Sequence, residues 1–146
     1  MSTSGLDVFD RTLQTTHIWL DEVMETVGPD RNVAWHVLGA ALRTLRDRLP
    51  PELAAHLGAQ LPLLVRGAYY DHYRPGHAYE KVHSEDEFLA CVAADLGGIR
   101  PVNVRKVTRS ALAVLAHHIT PEQMEKVKRS LPEPIRKLWP EPGEAV

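Results

Sequence analysis

Cysteine is almost absent from this chain: among its 146 residues only Cys91 carries a thiol. One cysteine excludes an intramolecular disulfide framework and fits a reducing compartment, so cytoplasmic residence is expected. Aromatic residues are sparse at 6%, which leaves leucine, valine and alanine to supply most of a core. No apolar run approaches the roughly 20 residues that cross a bilayer. The first residues lack the basic and then apolar order of a secretion signal, so no membrane association is expected. Alternation of apolar and polar residues between hairpin turns is missing throughout, which argues against strands. There is no glycine-flanked serine, no glycine-rich phosphate loop and no CxxC pair. Those absences weigh against an enzyme, and no cofactor is expected. A formal charge of −2 excludes an obligate polyanion partner.

What the chain does contain is an echo of itself at a spacing of about 70 residues. Pro51-Glu52 returns as Pro121-Glu122, Leu61-Pro62 as Leu131-Pro132, and Arg66 as Arg136. Val37, Ala41-Leu42 and Leu45 return as Val107, Ala111-Leu112 and Leu115, and Gly28 as Gly98. A repeated unit of this size must bury its apolar stripe against its twin.

The stripes are helical. Leu6, Leu13, Leu20 and Val27 recur every seventh residue with Phe9, Thr16 and Val23 between them, and Gly28-Pro29 ends the segment. Asp30 reads as an N-cap for a second helix bearing Ala34, Val37, Leu38, Ala41, Leu42, Leu45 and Leu49, which Pro50-Pro51 stops. Leu53, Leu57 and Leu61 mark a third helix, and Leu64, Val65, Ala68 and Tyr69 a fourth beginning at Pro62. After a break, Ser84 to Glu87 forms a capping box ahead of Phe88, Leu89, Val92, Ala93 and Leu96, which Gly97-Gly98 closes. Three more helices follow: one from Val104 to Ile119, one opened by Thr120-Pro121-Glu122-Gln123, and a short one around Ile135 and Leu138. The expected fold is a single all-α domain over 1–146, two tandem four-helix units packed as one helical bundle. The first repeat covers 6–73, a connector 74–83, the second repeat 84–139, and a flexible tail 140–146.

The run Leu45 to Glu52, followed by Ala59-Gln60-Leu61-Pro62 and Arg66-Gly67-Ala68-Tyr69-Tyr70, resembles the bacterial family catalogued as domain of unknown function 2267. Leu115 to Ile119, Pro121-Glu122 and Ser130-Leu131-Pro132-Glu133 resemble that family's second half. The resemblance spans roughly Phe9 to Trp139. It implies an all-helical bacterial protein without an assigned reaction, and it transfers no site residue.

Several residues are candidates for chemistry. The connector gathers Asp71, His72, His77, Glu80 and His83, and imidazole with carboxylate suits zinc, nickel or copper. A transition metal held by His72, His77 and His83 is therefore the alternative reading, against a polar turn between repeats. His117-His118 end a helix, where imidazolium favours the helix dipole; adjacent helical residues diverge, which argues against ligation. Cys91 falls on or beside a buried stripe and reads as inert. Charge is uneven: Met1 to Asp30 sums to −5, and Arg100 to Lys137 to +6. A solvated charged surface accounts for that asymmetry first, and complementarity between the acidic first helix and the basic second half, within one molecule or between molecules, comes next. A nucleic-acid face ranks last, since stacking aromatics are missing beside the basic residues. Arg105, Arg109, Lys126 and Arg129, with Trp35 nearby, are the expected interaction surface. The function that follows is a non-enzymatic helical interaction or scaffold module.

Overall fold

A computed structural model describes residues 5–76 and 82–144. Among them stand eight helices and no strand: α1 (Asp7–Val27), α2 (Arg31–Arg46), α3 (Pro51–Ala59), α4 (Leu63–Tyr70), α5 (Glu85–Leu96), α6 (Val104–His118), α7 (Pro121–Arg129) and α8 (Glu133–Arg136).

Local chemistry sets the boundaries. Asp30, Ser84, Asn103 and Thr120 each accept a hydrogen bond from the backbone N–H three residues on, satisfying amides that the helix itself cannot. Proline opens α3 and α7, where its missing N–H costs nothing. Gly28 and Gly97 close α1 and α5 at φ of +97° and +60°, a region that a side chain strongly disfavours.

Burial then arranges the elements. From Val37 to Leu42, and again from Val107 to Leu112, every residue is buried, so α2 and α6 are the central helices. α1 packs on both of them, and so does α5. α3 meets α7, while α4 lies against α2, α1 and α3. Buried positions recur seventy residues apart: Ala54 and Met124, Leu57 and Val127, Leu61 and Leu131, Val65 and Ile135, Tyr69 and Trp139. All of them belong to one continuous core with Trp19, Phe88, Leu112 and Leu138.

The stripe of α1 departs from expectation. Its C-terminal half is buried at Thr16, Trp19, Leu20 and Val23, but its N-terminal half is open. Leu6 is 51% exposed, Phe9 49% and Leu13 43%. The heptad pattern is continuous, yet among the described residues nothing buries its Leu6, Phe9 and Leu13 side. Burial also reaches past the last helix. Trp139 is buried, and the Arg109 Nη2 donates to Glu144 Oε1 at 2.7 Å, so the tail is held through Glu144.

Candidate functional site

Three places gather functional side chains. The first is the seam between α1 and α6. Glu22 follows the buried Trp19 by one helical turn, so it sits at the edge of the packed half of α1. Opposite it, His117 and His118 form the last turn of α6, and Ile119 leaves the helix in extended backbone. His117 Nδ1 lies 2.6 Å from Glu22 Oε1, and His118 Nε2 lies 2.6 Å from Glu22 Oε2. The expectation that the two imidazoles diverge is therefore corrected. Their Cα–Cβ bonds do diverge, but one ring presents its near nitrogen and the other its far one, and a single carboxylate bridges both. The indole of Trp19 stacks on His118 at 4.7 Å with 16° between planes, which fixes that ring. Sequence reading missed Glu22 because its partners lie 95 and 96 residues away, a distance that no local motif encodes.

The second place adjoins the first. A groove of about 460 Å³ runs between α1 and the turn from α3 to α4, walled by Val8, Thr12, Thr15 and Trp19 on one side and Leu61, Pro62 and Leu63 on the other. His118 also lines it, and Arg11 and Arg66 flank it. The large apolar side chains left exposed among the described residues are Leu6, Val8, Phe9, Leu13, Ile18, Leu63 and Leu64. All of them belong to α1, to the residue that precedes it or to the first turn of α4. By helical spacing Leu6, Phe9 and Leu13 share one side of the chain's first helical stretch, while Val8 turns to the groove.

The third is a cleft of about 440 Å³ beside the connector, lined by Arg46, Asp47, Arg48, Tyr73, Arg74, His83, Ser130 and Leu131, among others. Arg48 donates Nη2 to Cys91 Sγ at 3.1 Å, while its buried Nε and Nη1 find no partner among the described residues. An unmatched guanidinium edge is costly to bury and fits an incoming anion. His83 lines this cleft and His72 the neighbouring one, where its side chain is 88% exposed. His77 lies outside the described residues, as does Glu80.

The basic residues of the expected surface scatter. Arg109 is buried, with Nε donating to the Leu138 carbonyl at 3.3 Å and Nη2 to Glu144, so it is not available to a partner. Arg105 pairs with Glu85. Arg129 lies 3.7 Å from Glu125 on the exposed face of α7, and Lys126 is exposed beside it. Trp35 packs half-buried against the core and lines the cleft that holds His72. One basic residue of the second half, Arg100, meets the end of the first helix. Arg100 donates to the Val27 carbonyl at 2.9 Å, at the negative end of α1, and lies 3.6 Å from Asp30.

Among the described residues no helix is long and apolar enough to cross a membrane. A family model described as an uncharacterized conserved protein, DUF2267, matches residues 16–138. No curated protein matches the chain.

Proposed function

The chain belongs to the DUF2267 family, and on that footing we propose that it is a non-enzymatic interaction module of the bacterial cytoplasm, pairing with a second copy of itself. The observation that carries this reading is the open apolar face of α1, with Leu6, Phe9 and Leu13 at i, i+3 and i+7. Those three positions continue the a and d series that buries Leu20 and Val23 farther along the same helix. A second copy is the occupant for two reasons. Leu6, Phe9 and Leu13 form the longest row of exposed large apolar side chains among the described residues, the other such residues being Val8, Ile18 and the pair Leu63-Leu64, so the same row on a second copy is the best match to it. The same arm also carries both signs, Asp7 and Asp10 with Arg11, so antiparallel pairing sets opposite charges across the seam.

Sedimentation and light scattering over a range of concentrations test this. The expected result is a dimer that Phe9→Asp together with Leu13→Asp converts to monomer. A wild-type chain that stays monomeric, or a variant that associates equally well, overturns the reading.

We also infer that the chain is an internal duplication, two four-helix units related by a pseudo-twofold axis. The support is that α3 and α7 begin at Pro51 and Pro121, that burial repeats at the same spacing, and that packing is crosswise. α1 lies on α6 as α5 lies on α2, the pattern that a twofold axis generates. A second functional reading rests on Arg48, whose two unmatched N–H groups favour a small anion, such as a carboxylate, in the connector cleft. Arg48→Met abolishes citrate-dependent thermal stabilisation on that reading, and no stabilisation of the wild type by citrate removes it.

A further inference from the structure

We propose that Glu22, His117 and His118 form a binding site for one divalent transition-metal ion, with zinc the best match to the donor set. The site lies outside the connector and shares no residue with the Leu6, Phe9 and Leu13 row or with the Arg48 cleft.

Three observations carry it. The candidate ligand atoms, two imidazole nitrogens and a carboxylate oxygen, all lie within 4.8 Å of one another, so one ion can reach all three. No other such group of three occurs among the described residues. The ligands come from two helices held by the buried core, and the stacked Trp19 ring orients His118. Preorganised ligands on rigid elements bind without first paying to be ordered.

The chemistry of the donors selects the ion. Two neutral imidazoles and one carboxylate suit a borderline cation, with bonds of about 2.0–2.2 Å for zinc. Hard ions such as magnesium or calcium prefer all-oxygen shells. Three protein ligands leave a fourth position for water or another donor. His118 also lines the groove beside α1, so that position neighbours a pocket walled by Thr12, Thr15 and Leu63. Without an ion, each imidazole turns an N–H toward Glu22, and one carboxylate is shared by two donors. When the ion takes the place of those two protons, each neutral ring carries its proton on the other nitrogen, so the nitrogens facing Glu22 become the ligands.

The ion also joins α1 to α6, the first half of the chain to the second. Any ligand that binds only the folded state raises its stability by mass action, so zinc shifts the unfolding midpoint upward.

The test uses the full chain without a histidine tag, dialysed against a chelator. Zinc chloride is titrated by calorimetry, and cobalt serves as a visible-absorption probe of nitrogen and oxygen ligation. The expected result is one equivalent of zinc per chain and a raised unfolding midpoint. Affinity falls at least about tenfold in Glu22→Gln and in His118→Asn, a lower bound set by what even outer ligands contribute. His117→Asn supplies a variant that cannot be confused with misfolding, because that side chain is 68% exposed. His72→Asn with His83→Asn retains full binding, which separates this site from the connector. Phe9→Asp with Leu13→Asp also retains it, which separates the ion from self-association. No stoichiometric binding by the wild type overturns the proposal, and so does binding that survives in His117→Asn/His118→Asn.

Discussion

Arg46 shows how much a single side chain can hold. Its guanidinium is buried and donates Nη1 to the carbonyls of Tyr69 and Asp71, both at 2.7 Å, and Nε to Asp47 at 2.9 Å. The Tyr73 ring covers it at 4.9 Å. These bonds satisfy carbonyls at the end of α4 that the helix leaves unpaired. Arg46→Met removes several charge-assisted bonds, and urea unfolding is expected to show a loss of about 3 kcal/mol. Nothing in the run Arg46-Asp47-Arg48 distinguishes this residue from a solvated charge, since the carbonyls it meets lie over twenty residues away. Gly58 makes a sharper case. A Cβ there falls 2.4 Å from the Tyr70 hydroxyl, and Tyr70 is wedged between the rings of Tyr69 and Tyr73. Gly58→Ala is expected to cost about 1–3 kcal/mol by the same measurement, the range for overpacking.

At the level of the element, what the sequence disclosed and what it hid have separate causes. Helix starts were legible because capping is local: Asp30, Ser84 and Thr120 stand where their side chains can serve the first turn. Thr120 does more than cap, since its N–H donates to Gln60 Oε1 at 3.0 Å and its hydroxyl accepts from Gln60 Nε2. Thr120→Ala is expected to cost about 1–2 kcal/mol by thermal unfolding, at the upper part of the range for a lost cap. The exposure of the α1 arm was not legible. Periodicity shows which side of a helix is apolar and says nothing of what stands opposite. Phe9→Ser with Leu13→Ser is expected to leave the unfolding midpoint of dilute protein within about 0.5 kcal/mol, as for surface positions. A loss near the 2–5 kcal/mol of a core truncation would place those side chains inside the monomer.

For the molecule as a whole, the spacing of helices was written in the chain, while their crosswise packing and the convergence on Glu22 arise only when the halves meet. Acid should loosen the far end, where Glu144 holds the tail. The Glu144 carboxyl is held below its ordinary range, chiefly by the backbone bond at Glu141 and then by Arg109. A lowered value in the folded state means that this group stabilises above the unfolded value and ceases to do so as pH falls through the lowered one. The gap in thermal midpoint between the wild type and Glu144→Gln is therefore expected near neutrality and should vanish in acid. A gap that persists unchanged in acid would assign the effect to packing.

The crosswise arrangement also governs birth on the ribosome. α1 is complete at Val27, yet α6, on whose His118 the Trp19 ring stacks, begins only at Val104. At roughly 5–20 residues per second, translation leaves that oily flank waiting for on the order of 4–15 s. During this interval the nascent chain is a natural client for a holdase.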